Sequence, residues 1–138
     1  PLPQRRQYNS MTDRDARAFA PVVLRLALAG LFLWFGFSQV MDPSAWLSWL
    51  PAWAANLAWI SPAGVVLLNG WFEIVLGAAL AFGLFTRWAA LLLSLHLFVI
   101  AYGIGYNDIG VRDFTLALTT LALSLGGADW LALHRQAK

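Results

Sequence analysis

Gln39, Asn69, Glu73, His96, Arg112 and Asp113 are the polar residues best placed to do chemistry in an otherwise apolar chain. Glu73 makes the heaviest demand on its surroundings. It lies in "NGWFEIVLGAALAFGLFTR" (residues 69–87), which reads as part of a membrane-crossing helix. A charged group at the bilayer centre costs ~2.5–3.5 kcal/mol on insertion scales, so such a side chain should face a bundle interior and find a partner there. Asn69 stands one helical turn before Glu73 and Gly77 one turn after, which puts all three on one stripe. Three states suit Glu73: a protonated acid, an ion pair with Arg112, or a hydrogen bond to His96. Residue types alone leave these open. The chemistry on offer is proton acceptance or recognition of a small polar group. The competing role is a clasp that fixes helix register, its interhelical hydrogen bonds contributing about 1 kcal/mol or less each.

The remaining candidates are weaker. His96 is expected to be a hydrogen-bonded bundle residue rather than a metal ligand. The other histidine, His134, falls in the C-terminal tail, so a haem held by two histidines is not expected. No Cys, His or carboxylate cluster has metal-ligand spacing. Arg25, within two turns of the start of the first apolar run, is expected to snorkel to the headgroup level. Arg87 should anchor a turn. Gly30, Gly36, Gly77 and Gly83 are spaced for close helix contact. There is no cysteine, so this chain by itself can neither exchange thiols nor attach a c-type haem.

The elements that must position these residues follow from composition. The 138 residues are 60% hydrophobic and 12% charged, against roughly 25% charged in soluble domains. A soluble core of this length cannot hide so much apolar surface, so an integral membrane protein is expected. The expected fold is all-α: a four-helix transmembrane bundle with spans at about 18–40, 63–85, 88–106 and 109–125, each near the ~20 residues that cross a bilayer. Residues 1–17 read as a flexible basic tail and 128–138 as a C-terminal tail. Met11 offers an alternative start, which would make 1–10 an upstream extension. Between the first two spans, "MDPSAWLSWLPAWAANLAWISP" (41–62) lacks Lys and Arg and carries Trp46, Trp49, Trp53 and Trp59. Asp42-Pro43 signals a helix start and Pro51 a break. The segment is expected to lie at the membrane interface, with these tryptophans as anchors; a loop packed over the bundle is the alternative.

Basic residues orient the spans. Arg5, Arg6, Arg14, Arg17, Arg87, Arg135 and Lys138 fall on one side and Arg112 on the other, which places both termini in the cytoplasm. The expected location is a bacterial cytoplasmic (inner) membrane. Glu73 and His96 then sit near mid-membrane, with Gln39, Arg112 and Asp113 towards the outer face. Together with Asn69 they form a polar column.

The order "RLALAGLFLWFGFSQVMDP", "FEIVLGAALAFGLFTRWAALLL", "GVRDFTLAL" resembles the DoxX family of small four-helix membrane proteins over about residues 22–125. Glu73, Gly77, Gly83, Leu84, Thr86, Arg87, Ala89, Arg112 and Asp113 match its pattern. Gln39 stands where many members carry lysine. The resemblance implies a four-helix bundle and a link to quinone-dependent oxidation of sulfur compounds, with other members tied to membrane redox or thiol homeostasis. The leading expectation is an accessory subunit of a larger membrane redox or energy-transducing complex, non-catalytic alone and partnered by other membrane subunits. The alternative is a quinone- or small-molecule-handling component. There Glu73 binds ligand or accepts protons, Arg112 and Asp113 form a gate, and Trp34, Trp71, Phe72 and Phe98 flank a flat ring. A transporter ranks last, since no inverted repeat or broken helix pair is visible.

Overall fold

The computed structural model describes residues 3–133, with side chains from residue 13 onward. Its elements are helix α1 (Pro3–Met41), a 3-10 helix (Pro43–Trp49), a short α2 (Ala52–Ala55), α3 (Pro62–Phe82), α4 (Thr86–Ile104) and α5 (Asp108–Gly126). No strand occurs among the described residues. Four of the helices are long and apolar enough to cross a membrane. At 1.5 Å rise per residue, the 21 residues of α3 extend ~32 Å, about the thickness of a bilayer's hydrocarbon core.

The helix boundaries have local causes. Ser61 caps α3 by accepting the Gly64 N–H, with Pro62 in the first turn. Asn107 caps α5 by accepting the Ile109 and Gly110 N–H groups. α3 ends at Gly83, whose φ of 68° lies in the left-handed region. A side chain there would also strike Ala132, 2.5 Å from an ideal Cβ.

Two expectations about the ends are corrected. α1 begins at Pro3, not near 18, so Pro21 falls inside the helix rather than in its opening turn. Once a long apolar span has formed, extending it by a residue is far easier than nucleating a helix anew, and the preceding polar residues join it. Proline inside a helix removes one backbone donor, and neighbouring groups commonly compensate. Here the carbonyl left without its helical donor is that of Arg17; Trp130 Nε1 donates to the next one, the Ala18 carbonyl, and ties the C-terminal segment to this part of α1. At the other end, residues 127–133 fold back onto the bundle rather than forming a free tail: Asp129 and Ala132 are buried. His134, Arg135 and Lys138 lie outside the described residues.

The spans pack as two pairs, α1 with α3 and α4 with α5, and the pairs meet along a looser seam. The α1–α3 contact is backbone on backbone. An ideal Cβ on Gly36 would lie 2.7 Å from the Gly70 carbonyl oxygen, and one on Gly70 would lie 2.9 Å from the Gly36 oxygen. Small residues of this kind let helices approach where no hydrophobic effect drives them together. Gly77 joins this contact against Leu33, but Gly30, expected at an interface, has open space before it. Leu28, Phe32, Leu80, Leu93 and Ala117 fill the core where the pairs touch.

Candidate functional site

The close α1–α3 crossing sets Gln39 against the Asn69–Glu73 stripe. Gln39 Nε2 donates to Glu73 Oε2 at 2.9 Å, and Asn69 Nδ2 donates to Gln39 Oε1 at 2.6 Å and to Glu73 Oε1 at 3.3 Å. Glu73 is 3% exposed, so a group that prefers water is surrounded by amide donors instead. From α4, His96 Nε2 stands 3.4 Å from Glu73 Oε1. That distance is within ion-pair range, but the geometry is not aligned for a hydrogen bond, and this buried nitrogen has no hydrogen-bond partner among the described residues. The imidazole is held by Phe72, whose ring centroid is 4.8 Å away. On α5, Arg112 pairs with its neighbour Asp113, Nε to Oδ1 at 2.9 Å. Of the three states open to Glu73, the ion pair with Arg112 is therefore not the one adopted. Asp113 is the next residue on the same helix, whereas Glu73 lies deeper, on another helix.

These six polar residues line one cavity of about 400 Å³ along the seam between the helix pairs. The volume lies within the ~300–1,000 Å³ typical of small-molecule sites. The other walls are apolar: Leu31, Phe32 and Phe35 of α1, Val65 and Val66 of α3, Leu97 and Ile100 of α4, Ile109 and Leu116 of α5. Trp34, Trp71, Phe72 and Phe98 do not border this space and take the ordinary role of lipid-facing or packing residues. Trp34 and Trp71 turn outward, and Phe98 stacks edge-on with Phe114. Instead Phe32, Phe35, Trp46, Trp49 and Trp53 border the space.

The Trp-rich segment packs over the bundle, the alternative raised from its sequence. Trp46 and Trp49, three apart in a 3-10 helix, fall on one face. With Leu50, Pro51, Trp53 and Ala54 they roof the cavity. Trp46 Nε1 donates to Ser38 Oγ at 3.2 Å, and its ring meets Phe35 edge-on. Trp59 is 73% exposed and does not border the cavity.

A second buried ionic group lies at the opposite end of the bundle. Arg25, expected to snorkel, is 1% exposed. Its Nε donates to Asp129 Oδ2 at 2.7 Å, and one terminal nitrogen donates to the Leu80 and Ala81 carbonyls at 2.6 and 2.8 Å. Those carbonyls belong to the last turn of α3, where intrahelical donors run out and the helix dipole is negative. Asp129 is fixed in turn by accepting the Leu131 N–H. Sequence reasoning missed this pair. The available signal was an arginine inside the first span and an aspartate just past the last one, both assigned to the same membrane side.

Fold and cavity together describe a small all-α integral membrane protein with an interior polar site. The family model described as DoxX matches residues 20–105, more than half of the chain. The chain belongs to the DoxX family. The matched stretch contains Gln39, Asn69, Glu73 and His96, while Arg112 and Asp113 lie beyond it. No curated protein and no solved structure gives a significant match to the chain.

Proposed function

We propose that this chain binds a lipophilic molecule with a flat polar head in the seam cavity, as one component of a membrane redox system. The observation that carries the reading is the division of the cavity walls. Hydrogen-bonding groups gather around Glu73 on one side, and aliphatic and aromatic side chains form the rest. A quinone suits this division. Its ring would lie among Phe32, Phe35 and Trp46, and a carbonyl oxygen could accept from an N–H at His96 Nε2, the buried nitrogen without a hydrogen-bond partner among the described residues. In the reduced form, a ring hydroxyl would donate to the Glu73 carboxylate, which is positioned to accept its proton.

On oxidation the two electrons, and the proton of the second ring hydroxyl, would pass to a partner subunit, and the reverse on reduction. The family's link to quinone-dependent oxidation and the absence of cysteine from the chain support a shared rather than a solitary role. The basic residues of the chain favour the roofed end of the cavity facing outward from the cytoplasm.

The test is a titration of the purified protein in lipid nanodiscs with a short-tailed benzoquinone, read by tryptophan quenching. Saturable quenching is expected for the native chain. Ile100→Phe, which fills the cavity from an apolar wall, should abolish it while the helical circular dichroism is retained. Equal quenching in both proteins would move the bound molecule out of the cavity and overturn the reading. Native mass spectrometry from mild detergent, with redox subunits co-extracted, tests the partnership.

A further inference from the structure

The roof of the cavity differs from its walls. Between the capped starts at Asp42-Pro43 and Ser61-Pro62, Ala54 is the one buried side chain. Among the described residues, a single hydrogen bond ties residues 43–60 to a spanning helix, Trp46 Nε1 to Ser38 Oγ. The segment rests on α1 and α3. It reaches the other helix pair where Pro51 stands over Gly103 of α4, 3.2 Å from an ideal Cβ, with Trp53 Nε1 at 3.9 Å. The roof thus belongs to one half of the bundle and closes against the other half, directly above the seam that holds the cavity.

We propose that residues 43–60 are a lid hinged at Asp42-Pro43 and Ser61-Pro62, with Gly103 as its seat, and that ligand passes beneath Pro51 and Trp53. The inference rests on the cavity being a binding site. Three features support a moving element rather than a fixed loop. The contacts are few and apolar, with one weak polar tie, which is the signature of a low-stability region. Each hinge is a cap followed by a proline, so motion concentrates at defined points rather than spreading through α1 and α3. The seat is a glycine, which offers a smooth surface and no side chain to interlock.

Because the chain contains no cysteine, the lid can be locked reversibly. An ideal Cβ at position 103 lies 3.2 Å from Pro51 Cβ, so a few tenths of an ångström of give bring P51C/G103C into disulfide range, Cβ to Cβ ~3.5–4.5 Å. The experiment is stopped-flow tryptophan quenching by the short-tailed benzoquinone in nanodiscs, on oxidised and then reduced P51C/G103C. The expected result is loss of the fast quenching phase while the bridge is intact and its full return on reduction. Equal rates in the two forms would overturn the lid while leaving the binding site standing. Absence of quenching in every form, the native chain included, would overturn the binding reading and the lid with it. Ser38→Ala gives an independent reading that does not depend on the engineered bridge. Removing the tie to Trp46 should speed ligand release roughly two- to tenfold, the range for one net hydrogen bond. An unchanged release rate would count against the lid.

Discussion

Arg25 and Glu73 are both charged residues buried inside membrane-spanning helices, at 1% and 3% exposure, yet their surroundings differ in kind. Arg25 meets a carboxylate and two backbone carbonyls at hydrogen-bond distance, and its partner Asp129 is itself held by a backbone N–H. A more open hollow of about 470 Å³ borders Asp129 between Pro21, Gly127 and Trp130, but Arg25 does not line it. Glu73 is surrounded by neutral amides and by a histidine nitrogen without a hydrogen bond, and it faces about 400 Å³ of space. A group that serves only structure tends towards full pairing, because each unmet donor or acceptor is a liability in a dry interior. Arg25 and Asp129, at the terminal end of the bundle, show that this chain can achieve such pairing for a buried charge. That the other end does not is the strongest physical reason for assigning the function there.

The comparison can be broken most severely at the terminal end. Arg25→Met leaves Asp129 buried without a cation, and breaking a buried pair in this way should cost about 3–5 kcal/mol. The loss is read as a lowered unfolding midpoint in mild detergent, and adding Asp129→Leu should restore most of it. Quenching by quinone, per folded molecule, should stay the same. At the cavity end the pattern should invert. Glu73→Gln should change stability by about 1 kcal/mol or less, since the neighbouring amides can turn to present oxygen. The same variant should weaken affinity for the reduced hydroquinone, whose hydroxyl donates to Glu73, roughly tenfold or more, as hydrogen bonds to charged groups contribute about 1.5–3 kcal/mol. A destabilised Glu73→Gln protein with native affinity would make the two ends equivalent and return Glu73 to a structural role.

Gly70→Ala sharpens the comparison from the supporting side. Its new Cβ meets the Gly36 oxygen and Val40 Cγ2, each at 2.9 Å, and overpacking of this kind costs about 1–3 kcal/mol. Separating α1 from α3 also draws Gln39 away from Glu73, so stability and affinity should fall together in the same titrations. The smallest effect is expected at Asp42. A hydrogen bond from the Ser44 hydroxyl, and then one from the Ala45 N–H, hold its carboxyl below the ordinary carboxylate value. With the folded value the lower one, the cap's contribution is complete above the unfolded value of roughly 3.9 and is lost as pH falls through the folded value. In fluorotryptophan-labelled protein, the Trp46 resonance should broaden over that acid range. A resonance unmoved there would remove the cap from the lid's hinge.

The four spans and their polar stripe were legible because both rest on local pattern: apolar runs of bilayer length, and Asn69 and Glu73 one turn apart. The grouping of Gln39, His96, Arg112 and Asp113 with that stripe, as a polar column, rested only on depth, from the midplane to one face. What depth cannot supply is pairing. Arg112 turned to its neighbour Asp113, and Arg25 to a residue 104 positions away, where no periodicity connects the two. The cavity itself was illegible for a related reason. It exists where α1–α3 and α4–α5 fail to fill the seam between them, and such a gap depends on how pairs pack. The folding of the Trp-rich segment over that gap depends on Gly103, a residue with no pattern of its own.

The sequence distance across the Arg25–Asp129 pair also has a consequence for how the protein is made. The arginine is synthesised in the first span, and its carboxylate 104 residues later. At elongation rates of ~5–20 residues per second, the charge waits roughly 5–20 s for its partner. Throughout that interval the first span must be tolerated by the insertion machinery with an unneutralised cation well inside its helix. Its burial is therefore among the last events of assembly. A chain truncated after α5 would enter the membrane with every span present and this latch missing.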